Sequence, residues 1–244
     1  MVITSLNNDR VKELVKLKYK KYRDKYNIFF IEGYDIVIEA YKSNLIKELY
    51  VLDGIECELD IPCTYISYDV MKKISDMESI SEYYAVCYKK KELEIGNRII
   101  ILDGVQDPGN LGTIIRSAVA FNFDSVILSR ESVDLYNPKV IRSTKGMLFN
   151  MNICVKNLEN FIPTLDDYVI YGTDVVNGEN IRDIEVPSKV GLVIGNEGRG
   201  ISDKIKKLCN KFIYIDMNND CESLNASVAA SILMYEVNNK WNMF

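Results

Sequence analysis

The sequence contains no histidine. That absence removes Ser-His-Asp and Cys-His nucleophilic arrangements, imidazole acid–base chemistry and the commonest zinc ligand together. The cysteines, Cys57, Cys63, Cys87, Cys154, Cys209 and Cys221, include no C-x-x-C pair, so reduced thiols are expected rather than a metal site or a dithiol redox centre. No apolar run approaches the roughly 20 residues needed to cross a bilayer, and the N-terminus MVITSLNNDRVKELVKLKYKK lacks the apolar stretch of a signal peptide. The expected location is the cytoplasm, without a membrane partner. Both common phosphate fingerprints are also missing. Gly104 and Gly109 have Walker-loop spacing, but Asn110 and Leu111 stand where Lys and Ser/Thr belong, and there is no G-x-G-x-x-G.

What is present is a chain of 244 residues with 48% hydrophobic content, enough for one large domain or two modest ones. The net charge of −5 argues weakly against a nucleic-acid partner, but it is unevenly spread. Residues 1–25 carry Arg10, Lys12, Lys16, Lys18, Lys20, Lys21, Arg23 and Lys25 against only Asp9, Glu13 and Asp24. Interleaved with Tyr19, Tyr22 and Tyr26, this segment can contact phosphates and stack on unpaired bases. It can equally be a solvated amphipathic helix with Val11, Leu14, Val15 and Leu17 facing a core.

Along the chain, NIFFIEG, IKELYVL, PCTYIS and YYAVCY read as strands, and YDIVIEAYKS and YDVMKKISDM as helices. The charged run KKKELEIGN closes this small α/β unit. A boundary near residue 93 therefore gives domains 1–93 and 94–244. The second domain alternates apolar strands (IIILD, SVILS, MNICV, YVIYGTD, KVGLVIGN, KFIYIDM) with helices, the last from about Asn225 to Trp241. That pattern implies a mostly parallel sheet covered on both faces, with ligands collected at the carboxyl ends of the strands.

Three loops fall at that edge: DGVQDPGNLG, GNEGRGIS and DMNNDCESLN. In the first, Asn110 either caps the following helix or serves a site. Arg116 shares a helix face with the small residues Gly112 and Ala120, which let a ligand or another chain approach. In the second, glycines frame Asn196, Glu197 and Arg199 and allow the backbone to wrap a ligand; Glu197 needs a partner, and Arg116 is the candidate. In the third, Asp216, Asn218 and Asp220 alternate as in a calcium loop, but Cys221 and Ser227 occupy the positions of the required glycine and glutamate. Capping explains one of Ser223 and Asn225, not obviously both.

DPGNLGTIIRSA, LVIGNEGRGIS and ESLNASVAASILMYE, in this order and spacing, closely resemble the three motifs of the SpoU (TrmH-like) branch of the SPOUT methyltransferases. ITSLNNDRVKELVKL and FFIEGYDIVIEA resemble the substrate-binding domain that often precedes them. The resemblance implies methyl transfer from S-adenosylmethionine to a ribose 2′-OH of structured RNA, on a fold with a C-terminal trefoil knot, by a homodimer; no metal is expected, because the motif loops offer backbone donors and acceptors and no ligand cluster. By motif position, Asn110, Arg116, Glu197, Ser223 and Asn225 are the implied catalytic set. Gly172, Thr173, Gly195, Asn196, Gly198, Ile215, Met217 and Leu224 are the implied cofactor contacts. Asp216 departs from the proline usual in the IPM stretch, which bears on the rigidity of that loop.

The expected substrate is ribosomal RNA, with transfer RNA second and an antibiotic-resistance role on ribosomal RNA open. A non-catalytic RNA-binding protein on the same fold is the competing class.

Overall fold

The computed structural model describes residues 2–174, 178–218 and 220–241. The basic N-terminal segment forms two helices, α1 (Asp9–Lys16) and α2 (Lys20–Tyr26), rather than one. The side chain of Asn8 caps α1 by accepting from the Arg10 N–H at 2.8 Å. Arg23 ends it: its buried guanidinium donates to the Leu17 and Lys18 carbonyls at 2.8 and 2.7 Å and pairs with Asp134. Val11, Leu14 and Leu17 are buried as their spacing requires.

These helices cover a five-stranded sheet built from β1 (Val2–Ile3), β2 (Ile28–Glu32), β3 (Ile46–Leu52), β4 (Cys63–Ile66) and β5 (Tyr83–Tyr88), in the order β1-β4-β3-β5-β2. β5 runs antiparallel to both neighbours, while β1, β4 and β3 are parallel. Helices α3 (Tyr34–Lys42) and α4 (Tyr68–Ile74) complete the unit. On one side its core packs Leu14, Ile28, Tyr50, Met71 and Tyr84 together.

The second unit begins with β6 (Arg98–Asp103), α5 (Pro108–Ala120) and β7 (Ser125–Ser129). The chain then leaves it. Residues Asp134–Asn150, with helix α6 (Pro138–Thr144), group with the first unit, whereas the sequence pattern assigns them to the second. Side chains explain the excursion. Phe29 of β2 meets the rings of Tyr136 and Phe149 at 4.5 and 6.0 Å between centroids, Arg142 pairs with buried Glu32 at 3.0 Å, and Asp134 supplies the counter-ion of Arg23. None of these long-range pairs is visible as a period or a turn.

After re-entry come β8 (Asn152–Lys156), α7 (Leu158–Phe161), β9 (Val169–Thr173), β10 (Glu179–Asn180), β11 (Val190–Gly195), α8 (Asp203–Lys206), β12 (Lys211–Tyr214) and α9 (Ala226–Trp241). With β6 and β7 these strands form a seven-stranded sheet, order β10-β12-β9-β11-β6-β7-β8, in which every pairing is parallel. Successive isoleucines of β6 point to opposite faces. Ile99 and Ile101 join a core with Ile127, Leu158, Val193 and Ile205. On the other face lie buried residues of α5 and α9, which pack against each other, with a Ser117–Ser231 hydroxyl contact of 2.7 Å and Phe121 edge-on to Tyr235. Asn152 secures the start of the unit: its amide donates to the Leu93 and Glu94 carbonyls and accepts from the Leu93 N–H. Because all strands run one way, the loops after β6, β11 and β12 emerge at a single edge, and β9, β11 and β6 are neighbours there. No helix among the described residues is long and apolar enough to cross a membrane.

Removing Asp134 leaves the buried Arg23 charge without a counter-ion, so Asp134→Ala is expected to cost about 3 kcal/mol. Urea unfolding of the full chain measures it; a loss below about 1 kcal/mol would mean that the two backbone carbonyls suffice for Arg23.

Candidate functional site

β11 ends in Gly195, and the chain then makes a closed turn: Asn196 and Gly200 exchange both backbone hydrogen bonds, at 3.0 and 2.9 Å. A Cβ on Gly195 would stand 2.1 Å from the Gly200 carbonyl carbon, so only glycine lets the two limbs close. The Asn196 side chain holds the turn from within, accepting from the N–H groups of Gly198 and Arg199. It also donates to the Gly104 carbonyl at 2.8 Å, which joins this loop to the one after β6.

Glu197 makes the second connection. Its carboxylate accepts from the Asn110 amide at 3.0 Å and from the backbone N–H groups of Asp107 and Gln106 at 3.0 and 3.1 Å. Partial burial pushes this carboxyl up, but the hydrogen bonds from Asn110 and the two backbone donors outweigh it and hold the group below its ordinary value. Asn110 is buried in the first turn of α5. It is not the helix cap, because Asp107 takes that place and accepts from the Asn110 N–H at 2.8 Å.

The expected pairing of Glu197 with Arg116 is not what the structure shows. Six residues along α5 carry Arg116 about 9 Å from Asn110 and about 240° around the helix, away from Glu197. Arg116 is exposed and makes no hydrogen bond or ion pair among the described residues.

Beside Glu197 lies a cleft of about 350 Å³ bounded by the ends of β9, β11 and β12 and the start of α9. Thr173, Gly195, Asn196, Gly198, Ile215, Met217 and Leu224 line it, as do Glu197 and Ser223. Gly172 does not. A Cβ there would meet the Phe212 ring at 2.7 Å, so its bareness serves the packing of β12 on β9. Asn225 caps α9: its Oδ1 accepts from the Ser227 N–H at 2.9 Å and the Ser227 hydroxyl at 2.7 Å. Asp216 is exposed between two cleft residues, so its carboxylate is kept out of the cavity.

The structure also adds residues that sequence reasoning passes over. Ile213, Ala226, Ala229 and Leu233 complete the apolar wall, and the i, i+3 spacing of the two alanines is the one signal that pointed there. Among the described residues no group of three or more His, Cys, Asp or Glu side chains is placed to hold a metal ion.

In the N-terminal unit the basic side chains divide. Arg23 is buried, Lys18 reaches the Ser75 carbonyl and Asp76, and Arg10 is held by Glu48, Glu13 and Tyr50. Lys16 and Lys21 lie 5.9 and 4.9 Å from the centre of the Tyr22 ring, and Lys25 lies 5.3 Å from that of Tyr26. Tyr19 and Tyr26 are more than half exposed.

Residues 97–235 match the SpoU rRNA Methylase family, and residues 8–85 match the MRM3-like substrate binding domain. The chain belongs to the SpoU family. One SpoU relative, the 23S rRNA (guanosine(2553)-2′-O)-methyltransferase RlmP of Bacillus subtilis, is 35% identical over 243 residues, covering 96% of this chain and 98% of the relative. The AdoMet-bound rRNA methyltransferase from Sinorhizobium meliloti superimposes with a TM-score of 0.87 at 27% identity, over 98% of this chain and 97% of that one. A crystal structure described as an RNA 2′-O ribose methyltransferase does so at 0.86 and 25% identity, over 99% of this chain and all of that one.

The depressed Glu197 carboxyl makes a signed prediction. Glu197→Gln turns one acceptor oxygen into a donor facing three N–H groups, so the variant should melt below the wild type at pH 7. Because the folded-state value is lowered, the stabilisation is present above the ordinary value of 4.5 and lost as pH falls through the folded one. The gap in melting temperature should therefore narrow below pH 4.5; a gap independent of pH would rule out the carboxylate as its source.

Proposed function

We propose that this chain transfers a methyl group from S-adenosylmethionine to a ribose 2′-OH of ribosomal RNA. The observation that carries the reading is Glu197 on the wall of the strand-end cleft, holding the buried Asn110 amide where the two loops joined by Asn196 and Glu197 meet. Membership of the SpoU family and the activities named for the relatives support it.

The cleft suits the cofactor. Its apolar wall of Ile213, Leu224, Ala229 and Leu233 can take an adenosine face, and the main chain of Gly195 at the end of β11 borders the same cavity. Thr173, Gly195, Asn196, Gly198, Ile215, Met217 and Leu224 would hold it. When bound, the cofactor supplies an electrophilic methyl carbon on a sulfonium. The chain's part is then alignment and removal of one proton, which needs no histidine.

Glu197 fixes the Asn110 amide, leaving its remaining polar atoms to orient a ribose hydroxyl. The Arg116 guanidinium presents N–H donors and no acceptor. It therefore acts as a donor to a phosphate or to the 2′-oxygen, not as a base. Its position on the outer face of α5 suits a homodimer packed through α5 and α9, whose exposed Val228 and Tyr235 offer apolar contact. A second copy would bring Arg116 the partners it lacks among the described residues. The knotted C-terminal path belongs to the same proposal, as do Ser223 and Asn225 as site residues.

The test is single-turnover transfer of labelled methyl to ribosomal RNA from a strain deleted for the gene, with the product mapped by mass spectrometry. Arg116→Ala should lose on the order of 10²-fold or more in rate. It should keep its melting temperature and its affinity for S-adenosylmethionine measured in chelator, because Leu111, Ile114, Ile115 and Ala118 still pack α5. Near-wild-type transfer would remove Arg116 from the site.

The substrate-binding unit makes a separate prediction. Lys18 and Arg23 are committed to the fold, so the side chains free to meet phosphates are Lys16, Lys20, Lys21 and Lys25, even though Lys20 also lies 3.6 and 3.7 Å from Asp134 and Asp24. Replacing the four together should flatten the salt dependence of RNA affinity by roughly 0.7 to 0.9 log units per lost contact. Filter binding across a salt series reads this directly; an unchanged slope would make the face merely solvated.

A further inference from the structure

A second cavity, of about 460 Å³, opens on the same edge of the parallel sheet and shares Asn196 and Gly200 with the cofactor cleft. It lies at the ends of β6, β7 and β8, strands that the cleft does not use. Its volume falls in the range of small-molecule sites. The floor is apolar, formed by buried Leu158, Ile201 and Ile205.

The rim is charged, and most of its groups are already engaged. Asp103 accepts from the Ser202 N–H at 2.8 Å, Lys204 pairs with Glu159 at 2.9 Å, and Asp203 sits in the first turn of α8, where an acid offsets the charge of the helix end. Besides Asp203, whose side chain makes no hydrogen bond or ion pair among the described residues either, two charged rim side chains lack a direct partner, and Glu131 acts on Lys204 only through its charge. Among the described residues neither the Glu131 carboxylate nor the Arg199 guanidinium makes a hydrogen bond or ion pair.

We infer that this cavity receives the base of the nucleotide whose ribose is methylated, and that Glu131 and Arg199 read that base as guanine. The inference rests on the methyl transfer proposed above. A wall shared by the two cavities lets one nucleotide span them, ribose toward the cleft and base in the second cavity. Unpaired RNA bases are recognised by a flat apolar surface under the ring and hydrogen bonds to the ring edges.

The two free groups select among the bases. A carboxylate accepts two parallel hydrogen bonds only from a base with two adjacent edge donors, and guanine alone has them, N1–H and N2–H. A guanidinium donates to neighbouring acceptors, which guanine presents as O6 and N7. A phosphate is disfavoured, because Asp103, Glu131, Glu159 and Asp203 outnumber Arg199 and Lys204 on the rim.

The test titrates the full-length protein, saturated with S-adenosylhomocysteine, with guanosine, inosine and adenosine monophosphates at millimolar concentrations, followed by NMR. The wild type should bind guanosine monophosphate roughly tenfold or more tightly than inosine monophosphate, which lacks the 2-amino group. Glu131→Ala should abolish that preference, Arg199→Ala should weaken both ligands together, and neither should change S-adenosylmethionine affinity. Equal binding of all three nucleotides, binding of none, or an undiminished preference in Glu131→Ala would overturn the assignment.

Methyl transfer to ribosomal RNA is measured in parallel. Guanine preference without any transfer would defeat the proposed activity and leave the cavity a guanine site. Transfer with no guanine preference would do the reverse.

Discussion

Two adjacent side chains, Asn196 and Glu197, hold the site together. Asn196 ties its own turn and the Gly104 carbonyl, and Glu197 gathers Asn110 with two backbone N–H groups of the neighbouring loop. Six donors and acceptors from two loops thus converge on two residues at the end of one buried strand. A loop at a strand end has few apolar contacts of its own, so hydrogen bonds to a carboxylate, stronger than those between neutral groups, are what give it a fixed shape. The strand beneath is rigid because both of its neighbours are parallel and both of its faces are covered.

Much of this was legible in the sequence, and the reason differs by element. Buried parallel strands read as short apolar runs, so IIILD, SVILS and LVIG declare themselves. The three loops are marked by glycine and by polar residues that a plain turn does not need. Which polar side chain meets which is another matter. Arg116 and Glu197 look complementary as letters, yet helical geometry turns Arg116 away and delivers Asn110. Gly172 stands in a stretch that wraps a ligand, yet its bareness answers to Phe212 on the neighbouring strand. Sequence order carries local conformation well; pairings across about 90 positions are set by sheet order, which no local pattern encodes.

The basic N-terminal segment teaches a related lesson about counting charge. Of eight cations in 25 residues, some are structural: Arg23 terminates a helix, Lys18 holds the Ser75 carbonyl, and Arg10 sits among Glu48, Glu13 and Tyr50. Such groups add little to the field felt by an approaching polyanion, because their charge is answered locally. The effective face is smaller than the composition suggests, and richer in aromatic rings, with lysines resting over Tyr22 and Tyr26. A ring that a cation already polarises and that is more than half exposed, as Tyr26 is, suits stacking on bases better than a bare lysine patch does.

The excursion of residues 134–150 out of the second unit also constrains how the molecule is made. A ribosome delivers the first 91 residues long before it delivers Asp134, so Arg23 must wait for its counter-ion, and Phe29 for Tyr136 and Phe149, until residues 92–133 of the second unit have been synthesised. The first unit therefore cannot reach its final packing during translation ahead of the second. No single cut in the chain yields both pieces whole. A gene that exchanged its N-terminal segment for another by one recombination event would leave a helix and two aromatic rings behind without a sheet to cover, so the two units are bound to be inherited together.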